Sequence, residues 1–540
     1  MGAAGAARGV GAAVGLRGAG AATGGVGVGA GLGRVALGLG AAAAAGAAAA
    51  PAGRETALCL NEDNSHWFFT RAGREATPEM VASFVDQYAG TQVRELLLCA
   101  NSQRTSFAST AWDPIWRGYD PDGPDDQPLL ASTPAESRAG ARKWIHTAWN
   151  LHRLGIDPYA LWITRARKHG LSPWISMRMN DLHNVDDERS YMHSEFWRAH
   201  PEYRRVPWRK VDWRDRAFDY AHAAVREYHF KLVEEYCQRY DFDGLELDWM
   251  RFGFHFAPGK EEAGAELLTE FVRRVRRVLD AWEKRRGHRI SLGARVASRP
   301  QTALGLGMDG ARWAREELVQ LLTVTPFWAS VETDMPVELW RRLAGDEVTL
   351  AAGLELLIRP YHAYRPLETN SLETVRGAAA SLLARGADRV YLFNYMDSQT
   401  AMADAANYPA LLRECGSLRT LAGKARRHVI TYADTQAPGE PAAAQLPKTL
   451  EAGQWGSFRV HVGPALRRGA VRMSGEGVAK LALRANGVEC AAAGRVEGVK
   501  PGPAAGFAAW ALPAGVAGWV VLDVLAGAGC KVEWVEVAGV

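Results

Sequence analysis

Strand-like and helix-like segments alternate along the chain between residues 57 and 394, and this alternation constrains the fold more than any other feature. The strand candidates are residues 57–61, 93–101, 171–180, 242–249, 289–296, 321–327, 348–357 and 389–394. The helical patterns between them include residues 78–88, 158–169, 218–239, 262–285, 336–343 and 372–385. Eight successive strand–helix repeats predict a closed (β/α)8 barrel of the TIM type rather than a doubly wound sheet.

Differences in composition along the chain predict four regions. Residues 1–52 are almost entirely glycine and alanine, which cannot form a packed core. The weakly apolar run after Arg34 ends in alanines before Pro51, a pattern typical of an export signal, so we expect a periplasmic or extracellular protein. A misassigned start codon or a disordered tail is the alternative. The barrel is expected over 53–430, a linker rich in Pro and Ala over 431–447, and a small β-sandwich over 448–540, where short strand-like runs alternate with glycines.

Charge and cysteine content exclude several functions. The formal charge of +4 is small for 540 residues and no long Lys/Arg block occurs, so nucleic acid is not an expected partner. Beyond the first 52 residues, no stretch is apolar enough over sufficient length to predict a membrane span. The six cysteines form no Cys-x-x-Cys pair and the histidines are scattered, so neither a metal nor another cofactor is predicted. Cys490 and Cys530 either form a disulfide or are buried free thiols. The oligomeric state is left open.

The fourth strand candidate carries an acidic face. Leu245, Leu247 and Trp249 alternate with Glu246 and Asp248, so the two sets of side chains point to opposite sides of the strand. Long helical segments flank this strand, so both faces are expected to be covered. Carboxylates that point into a barrel are costly unless they are paired or used in catalysis.

Polar residues also mark the ends of other strands. On the seventh strand Ala351, Gly353 and Glu355 share one face, so Glu355 is expected to point inward near the top of the barrel and to be the partner of Asp248. One inward carboxyl that protonates a leaving oxygen and a second that attacks or activates water is the arrangement used in glycoside hydrolysis. The polar residues predicted to bind substrate are Glu62, Asn101, Arg178, Asn180, Arg251, Arg295, Asn394 and Asp397.

Two long excursions, 102–156 and 181–216, follow the second and third strands and therefore leave the rim where barrel active sites are built. They are rich in tryptophan, at positions 112, 116, 144, 149, 197, 208 and 213. Aromatic faces beside hydrogen-bonding side chains suit a sugar, so a carbohydrate is the expected partner. Any single tryptophan is expected to pack the excursions onto the barrel, but one or two of the set are expected to stack on ligand. Trp112 and Trp116 are the candidates.

The run from Tyr240 to Trp249 resembles the strand-four signature of family 18 chitinases, Asp-Gly-x-Asp-x-Asp-x-Glu. Met250 stands where that family has its catalytic glutamate, so the substrate-assisted mechanism of the family is not supported. The longer run from Phe242 to Phe252 is similar to glycosyl hydrolase-like barrels related to family 10, whose fourth strand ends in an Asp-aromatic-aliphatic-Arg-Phe sequence. This second resemblance includes Arg251 and needs no glutamate at position 250.

The resemblance implies a catalytic pair. Asp248 takes the position of the strand-end carboxylate, and retaining barrel glycosidases pair a strand-four carboxyl with one on strand seven, which is Glu355 here. The working hypothesis makes Asp248 the acid/base and Glu355 the nucleophile, with the reverse assignment open. Glu246 beneath them is expected to tune their pKa or to pair with Arg295 or Arg178. The function predicted is a glycoside hydrolase acting on a poly- or oligosaccharide, and the alternative is a catalytically inactive barrel that binds carbohydrate.

Overall fold

The structure is a computed structural model that describes residues 55–365, 367–397, 404–442, 444–493 and 507–540. The expected signal region, 1–52, lies outside the described residues. Within these ranges no helix combines the length and the apolarity that a bilayer crossing requires.

Eight parallel strands close into a barrel in chain order, which confirms the predicted fold. The strands are β1 (Ala57–Glu62), β2 (Val93–Cys99), β3 (Ser172–Arg178), β4 (Gly244–Asp248), β5 (Ser291–Ala297), β6 (Leu321–Thr325), β7 (Thr349–Leu354) and β8 (Arg389–Phe393). β1 pairs with β8, beginning at Ala57 and Arg389, and this pairing closes the cylinder. A short antiparallel ladder, Leu357–Ile358 with Glu368–Thr369, follows β7.

Helices cover the outside of the barrel and part of its rim. They are α1 (His66–Thr70), α2 (Pro78–Ala82), α3 (Ala135–Arg153), α4 (Pro158–Lys168), α5 (Glu195–Ala199), α6 (Ala223–Arg239), α7 (Glu261–Arg286), α8 (Pro300–Gly305), α9 (Gly310–Arg315), α10 (Val337–Ala344), α11 (Leu372–Ala384), α12 (Tyr408–Glu414) and α13 (Leu418–Leu421). Short 3-10 turns lie at Ser83–Tyr88, Pro201–Tyr203, Trp213–Arg216, Ala405–Asn407 and Val478–Lys480. The Thr77 and Asp157 side chains accept hydrogen bonds from backbone N–H groups in the first turns of α2 and α4, and proline occupies the first position of each helix.

The first excursion, 102–156, contains α3, a helix that the sequence analysis did not predict. Its Trp144, Ile145, Ala148 and Leu151 are buried, and they recur at the three- and four-residue spacing of one helix face. α3 packs against α1, so the excursion is in part a folded layer on the rim.

Side chains alternate in direction along the barrel strands, and two separate clusters of buried apolar residues result. Leu245 and Leu247 belong to the large apolar cluster between strands and helices, whereas Glu246 and Asp248 face the barrel axis, as predicted. A small apolar cluster comes from inward positions of the strands: Cys59, Leu97, Trp174, Leu321, Ala351, Tyr391 and Phe393.

Trp174 accounts for the glycine at position 244. A Cβ atom built on Gly244 would lie 2.2 Å from a ring atom of Trp174, and one on the neighbouring Gly293 would lie 3.0 Å from the same ring. The indole therefore rests on the backbone of β4, with β5 beside it, where a side chain would collide with it. Only glycine at position 244 leaves room for this ring.

Gly244→Ala is expected to destabilise the protein by about 1 to 3 kcal/mol or more, because the new methyl group overpacks the barrel interior. Gly140→Ala in α3 is the matched control, since its nearest neighbour, a ring atom of Phe69, lies at 3.7 Å. That control is expected to be neutral or stabilising by up to about 1 kcal/mol, because alanine has the higher helix propensity. Urea unfolding midpoints test both variants. Equal midpoints for the two would contradict the account of Gly244.

Beyond the barrel, antiparallel strands form two sheets, as predicted for a β-sandwich. The strands are β9 (Arg426–Val429), β10 (Lys448–Leu450), β11 (Trp455–His461), β12 (Gly469–Glu476), β13 (Leu481–Ala485), β14 (Val488–Cys490), β15 (Ala508–Ala511), β16 (Trp519–Ala526) and β17 (Cys530–Gly539). One sheet has the order β9–β17–β12–β15 with β10 also on β17, and the other has the order β11–β16–β13–β14. Cys490 and Cys530 are both buried free thiols.

The segments between barrel and sandwich contact both. β9 precedes the predicted boundary at residue 430, yet it pairs with β17 and packs so closely on α11 that a Cβ on Gly377 would lie 2.0 Å from the Arg427 carbonyl oxygen. Farther on, the Asp434 carboxylate accepts hydrogen bonds from the backbone N–H groups of Phe327, Trp328 and Ala329, just after β6. The predicted linker thus holds a loop of the barrel rim. The exact domain limits remain predictions.

Three buried histidines predict acid sensitivity. Burial lowers the pKa of His193 and His229 to about 4 and that of His255 to about 3. The unfolded chain therefore binds protons between about pH 6.5 and pH 4 that the folded protein does not bind. Each histidine is expected to lower the free energy of unfolding by up to about 1.4 kcal/mol per pH unit as the pH drops through this range. The buried carboxyls of Glu246 and Glu355, whose pKa values are raised to about 7 and about 8, oppose this effect over the same range. Urea unfolding of the parent and of His229→Gln at pH 7, 6 and 5 isolates the histidine contribution. The stability of the parent relative to the variant is expected to fall as the pH drops, and a constant difference would contradict this account.

Candidate active site at the carboxyl ends of the barrel strands

Charged side chains of three neighbouring strands meet at the top of the barrel. The parallel register places Arg178 of β3 beside Asp248 of β4, and Asp248 beside Arg295 of β5. All three face inward because they share the phase of Glu246. Glu355, directly after β7, reaches the same layer.

Arg295 joins the two predicted catalytic carboxyls. One terminal nitrogen of its guanidinium lies 3.1 and 3.2 Å from the two Asp248 oxygens, and the other lies 2.8 Å from Glu355 Oε1. The Phe393 ring covers the guanidinium, with its centroid 3.8 Å from the central carbon. The side chains of Arg295, Asp248 and Glu355 are 0%, 1% and 2% exposed. Asp248 and Glu355 are therefore close neighbours on one shared cation.

The two carboxyls differ in their surroundings. Asp248 Oδ1 also accepts hydrogen bonds from the backbone N–H groups of Met250 and Arg251, at 3.1 and 2.8 Å. For Glu355, burial outweighs the attraction of Arg295 and raises the pKa to about 8. Both Asp248 oxygens accept hydrogen bonds from N–H donors, which is the hydrogen-bond pattern of a carboxylate, whereas Glu355 holds a proton at neutral pH.

Glu246 lies one layer deeper on β4. Its Oε2 accepts hydrogen bonds from the hydroxyls of Ser176 and Tyr391, at 2.7 and 2.9 Å. Burial, with the nearby charge of Asp248, raises the pKa of Glu246 to about 7. Its hydrogen bonds thus come from neutral hydroxyls of β3 and β8 rather than from Arg295 or Arg178.

A second charged group occupies the rim beside β3, and the sequence analysis did not single out most of it. Arg178 forms ion pairs with Asp63 and with Asp181, the latter at 3.3 Å. The Asp181 carboxylate is 2.8 Å from His183 Nδ1, and His183 Nε2 is 2.7 Å from a terminal nitrogen of Arg251. The only sequence signal for this group is the polar run that follows β1 and β3.

A third group lies between β1 and β8. His66 is 2.9 Å from Glu62 and 3.0 Å from Asp397, and Asp397 also pairs with Arg71. Burial disfavours the charged imidazole, but the two carboxylates outweigh burial and raise the pKa of His66 to about 9. Glu62 and Asp397, both predicted to bind substrate, are thus partners of one histidine.

The predicted asparagines are held mainly by the protein. The Asn101 amide donates to the backbone carbonyls of Ser102 and Arg178. The Asn180 amide donates to two carbonyls and accepts from the Phe218 N–H. Asn394 has a left-handed backbone with φ of 57°. Their predicted role in binding substrate remains a prediction.

The predicted tryptophans stack on protein rings. Trp112 is buried and lies parallel to Tyr228, with ring centroids 4.6 Å apart, and Trp116 stacks on His152 at 5.2 Å. Trp213 instead joins Phe252 and Phe327 in an aromatic group at the rim, with Trp213 and Phe327 nearly parallel. Trp208 and Trp328 are 78% and 42% exposed, so these two have the freest ring surfaces of the rim tryptophans named here. Ligand stacking by Trp112 and Trp116 remains a prediction.

Within the described ranges no group of three or more His, Cys, Asp or Glu side chains is arranged to hold a metal ion.

Comparisons with known proteins find similar solved structures at low sequence identity. No family model and no curated protein sequence matches the chain. Solved structures similar to it include the glycoside hydrolase domain of PgaB (BpsB) from Bordetella bronchiseptica, with 12% identity over 68% of this chain and 99% of that one, at a TM-score of 0.38. A family 18 N-acetylglucosaminidase from Paenibacillus barengoltzii shares 11% identity over 67% of this chain and 99% of its own, at a TM-score of 0.35. The chitinase ChiW from Paenibacillus sp. str. FPU-7 shares 10% identity over 68% of this chain, at a TM-score of 0.38, and the match spans only 33% of ChiW. These structural neighbours are glycoside hydrolases, and we transfer no residue roles from them.

Proposed function

We propose that the barrel hydrolyses glycosidic bonds of a poly- or oligosaccharide, with Glu355 and Asp248 as the catalytic pair. The observation that carries this proposal is the shared guanidinium of Arg295, which contacts Asp248 and Glu355 side by side at the carboxyl ends of the strands, where burial raises the pKa of Glu355 to about 8. Two carboxyls held in different protonation states are what an acid and a nucleophile, or an acid and a base, require.

The protonation states suggest the roles. Glu355, which holds a proton, donates it to the glycosidic oxygen as the bond to the leaving group breaks. Asp248, whose oxygens accept hydrogen bonds from N–H donors as a carboxylate does, either attacks the anomeric carbon or takes a proton from the attacking water, depending on the carboxyl separation in the complex. This assignment is the reverse of the one favoured from the resemblance to retaining barrel glycosidases. Glu246 stands beneath the pair, where its charge state acts on Asp248.

The sequence resemblances agree with this proposal in different degrees. Met250, at the position of the family 18 glutamate, has a fully buried side chain in the core between strands and helices, so it supplies neither an acid nor a substrate contact. The resemblance to family-10-related barrels includes Arg251, whose side chain lies in the candidate site. The proposed enzyme therefore follows the second pattern. Export to the periplasm or the cell exterior is part of the same proposal.

A second candidate function is a catalytically inactive barrel that binds carbohydrate. The deep burial of both carboxyls and the three donors on Asp248 Oδ1 favour it, because a fully bonded carboxylate is a poor nucleophile. A screen of polysaccharides and oligosaccharides with product analysis separates the two. Hydrolysis that is lost in both Asp248→Asn and Glu355→Gln supports the enzyme. Binding by the parent protein without any new reducing ends, unchanged in both variants, supports the inactive barrel.

A further inference from the structure

Arg251 is a buried cation without an ionic partner. Its side chain lies in the candidate site and the residue is only 7% exposed. Among the described residues it forms no ion pair, whereas Arg178 and Arg295 in the same layer each contact two carboxyl groups. A buried charge is costly unless a charge of opposite sign compensates it.

The protein group that contacts Arg251 does not provide this charge. A terminal nitrogen of Arg251 lies 2.7 Å from His183 Nε2. Because His183 Nδ1 lies 2.8 and 3.0 Å from the Asp181 carboxylate oxygens, Nδ1 carries the proton and Nε2 is the acceptor. His183 is thus a neutral hydrogen-bond partner that positions the guanidinium, and the carboxyl groups of Asp181, Glu355 and Asp63 act on its charge without touching it.

Two aromatic rings flank the guanidinium of Arg251. The central carbon of Arg251 lies 4.9 Å from the Phe252 ring centroid and 5.6 Å from that of Phe393. Nε of Arg251 is buried and makes no hydrogen bond within the described residues. The edge formed by Nε and a neighbouring terminal nitrogen is one that binds a carboxylate through two parallel hydrogen bonds in the guanidinium plane.

This edge belongs to the reaction site. The guanidinium groups of Arg251 and Arg295 both adjoin the Phe393 ring, with their central carbons 5.6 and 3.8 Å from its centroid. The backbone N–H of Arg251 donates to Asp248 at 2.8 Å. A sugar ring in contact with Asp248 and Glu355 would therefore have its substituents within reach of Arg251.

We propose that Arg251 binds the carboxylate of an acidic sugar, so that the substrate is a glycan containing uronic acid. The inference rests on the proposed function for the location of the sugar, and it adds the charge class of the substrate. Because the rings restrict access to the guanidinium plane, a flat carboxylate suits the site better than a tetrahedral sulfate ester.

The test uses the full chain and matched pairs of ligands. Hexasaccharides of galacturonate, glucuronate and mannuronate are each paired with their carboxyl-reduced, neutral forms, and binding is measured by calorimetry. The parent protein is expected to bind at least one uronate about 10-fold or more tightly than its reduced form, the size of effect of a charged hydrogen-bonded pair. Arg251→Gln is expected to lose this preference, and Arg251→Lys to keep part of it. Arg342→Gln, on the exposed face of α10, is the control and is expected to keep the preference unchanged.

Several results would overturn the proposal. Equal affinity for each uronate and its reduced form would do so, as would binding of no uronate or a preference that survives in Arg251→Gln. Binding of a sulfated neutral hexasaccharide in place of the uronates would reject the carboxylate. Glu355-dependent hydrolysis of a neutral glycan would reject the acidic sugar while supporting the proposed hydrolase. Uronate binding without hydrolysis would reject the hydrolase while supporting the role of Arg251.

Discussion

Glu355→Gln is expected to lower the rate of glycan hydrolysis by about 10²- to 10⁴-fold, because an amide cannot donate the proton that the leaving oxygen needs. Glutamine keeps the size of the side chain and can still contact Arg295, so affinity for the glycan is expected to change by less than about 3-fold. Initial rates and binding constants for parent and variant test this result. Glu316→Gln is the control, since Glu316 pairs with Arg273 and Arg312 on the outer helices. Unchanged hydrolysis by Glu355→Gln would reject the acid assignment.

The pH profile adds an independent check on Glu355. Its pKa is raised to about 8, so the acid is protonated at neutral pH and loses its proton as the pH rises through about 8. The rate is therefore expected to fall on the alkaline side with a midpoint near that value. If the residual activity of Glu355→Gln keeps the same alkaline midpoint, another group carries that ionisation.

Arg295→Met is expected to destabilise the protein by about 3 to 5 kcal/mol, because it leaves the buried Asp248 carboxylate without its cation. Methionine preserves much of the apolar volume against Phe393, so the loss of the charge dominates the effect. Adding Asp248→Asn to this variant is expected to recover a large part of the stability, since the uncompensated charge is then absent. Urea unfolding of the single and double variants measures this coupling.

Arg312→Met is the matched control for Arg295→Met. Arg312 pairs with Glu266 and Glu316 at partly exposed positions, where such pairs are worth about 1 kcal/mol or less. If Arg295→Met lowers the free energy of unfolding no more than Arg312→Met does, then Arg295 does not stabilise the buried Asp248 carboxylate.

Much of the barrel could be predicted because the alternation of apolar and polar residues indicates which face of a strand is buried. The predicted strand 321–327 differs from β6 only at its end, and Glu355, just after β7, contacts the same guanidinium as Asp248. α3 was missed because its apolar residues are separated by arginine, lysine and histidine within an excursion already assigned to the rim. β9 was assigned to the barrel because its pairing partner, β17, lies more than a hundred residues farther along the chain.

The candidate site could be predicted in position but not in its contacts. Periodicity predicted that Arg295 lies at a strand end. It could not predict that Arg295 contacts both Asp248 and Glu355, because these contacts depend on how far the side chain extends across three strands. His183 and Asp181 were missed because they follow β3, where no period marks the inward direction. Asn101 shows a second limit of the prediction. A polar side chain at a strand end can hydrogen-bond to backbone groups of its own protein.

The pairing of β9 with β17 has a consequence for synthesis on the ribosome. β9 lies on α11 of the barrel, and the segment after it holds the rim loop through Asp434, but β9 gains its sheet partner only when Cys530–Gly539 has been made. The eight barrel strands are translated before β17, so they can pair before β9 does. A nascent chain arrested before residue 530 would therefore have a closed barrel and an incompletely folded rim beside β9.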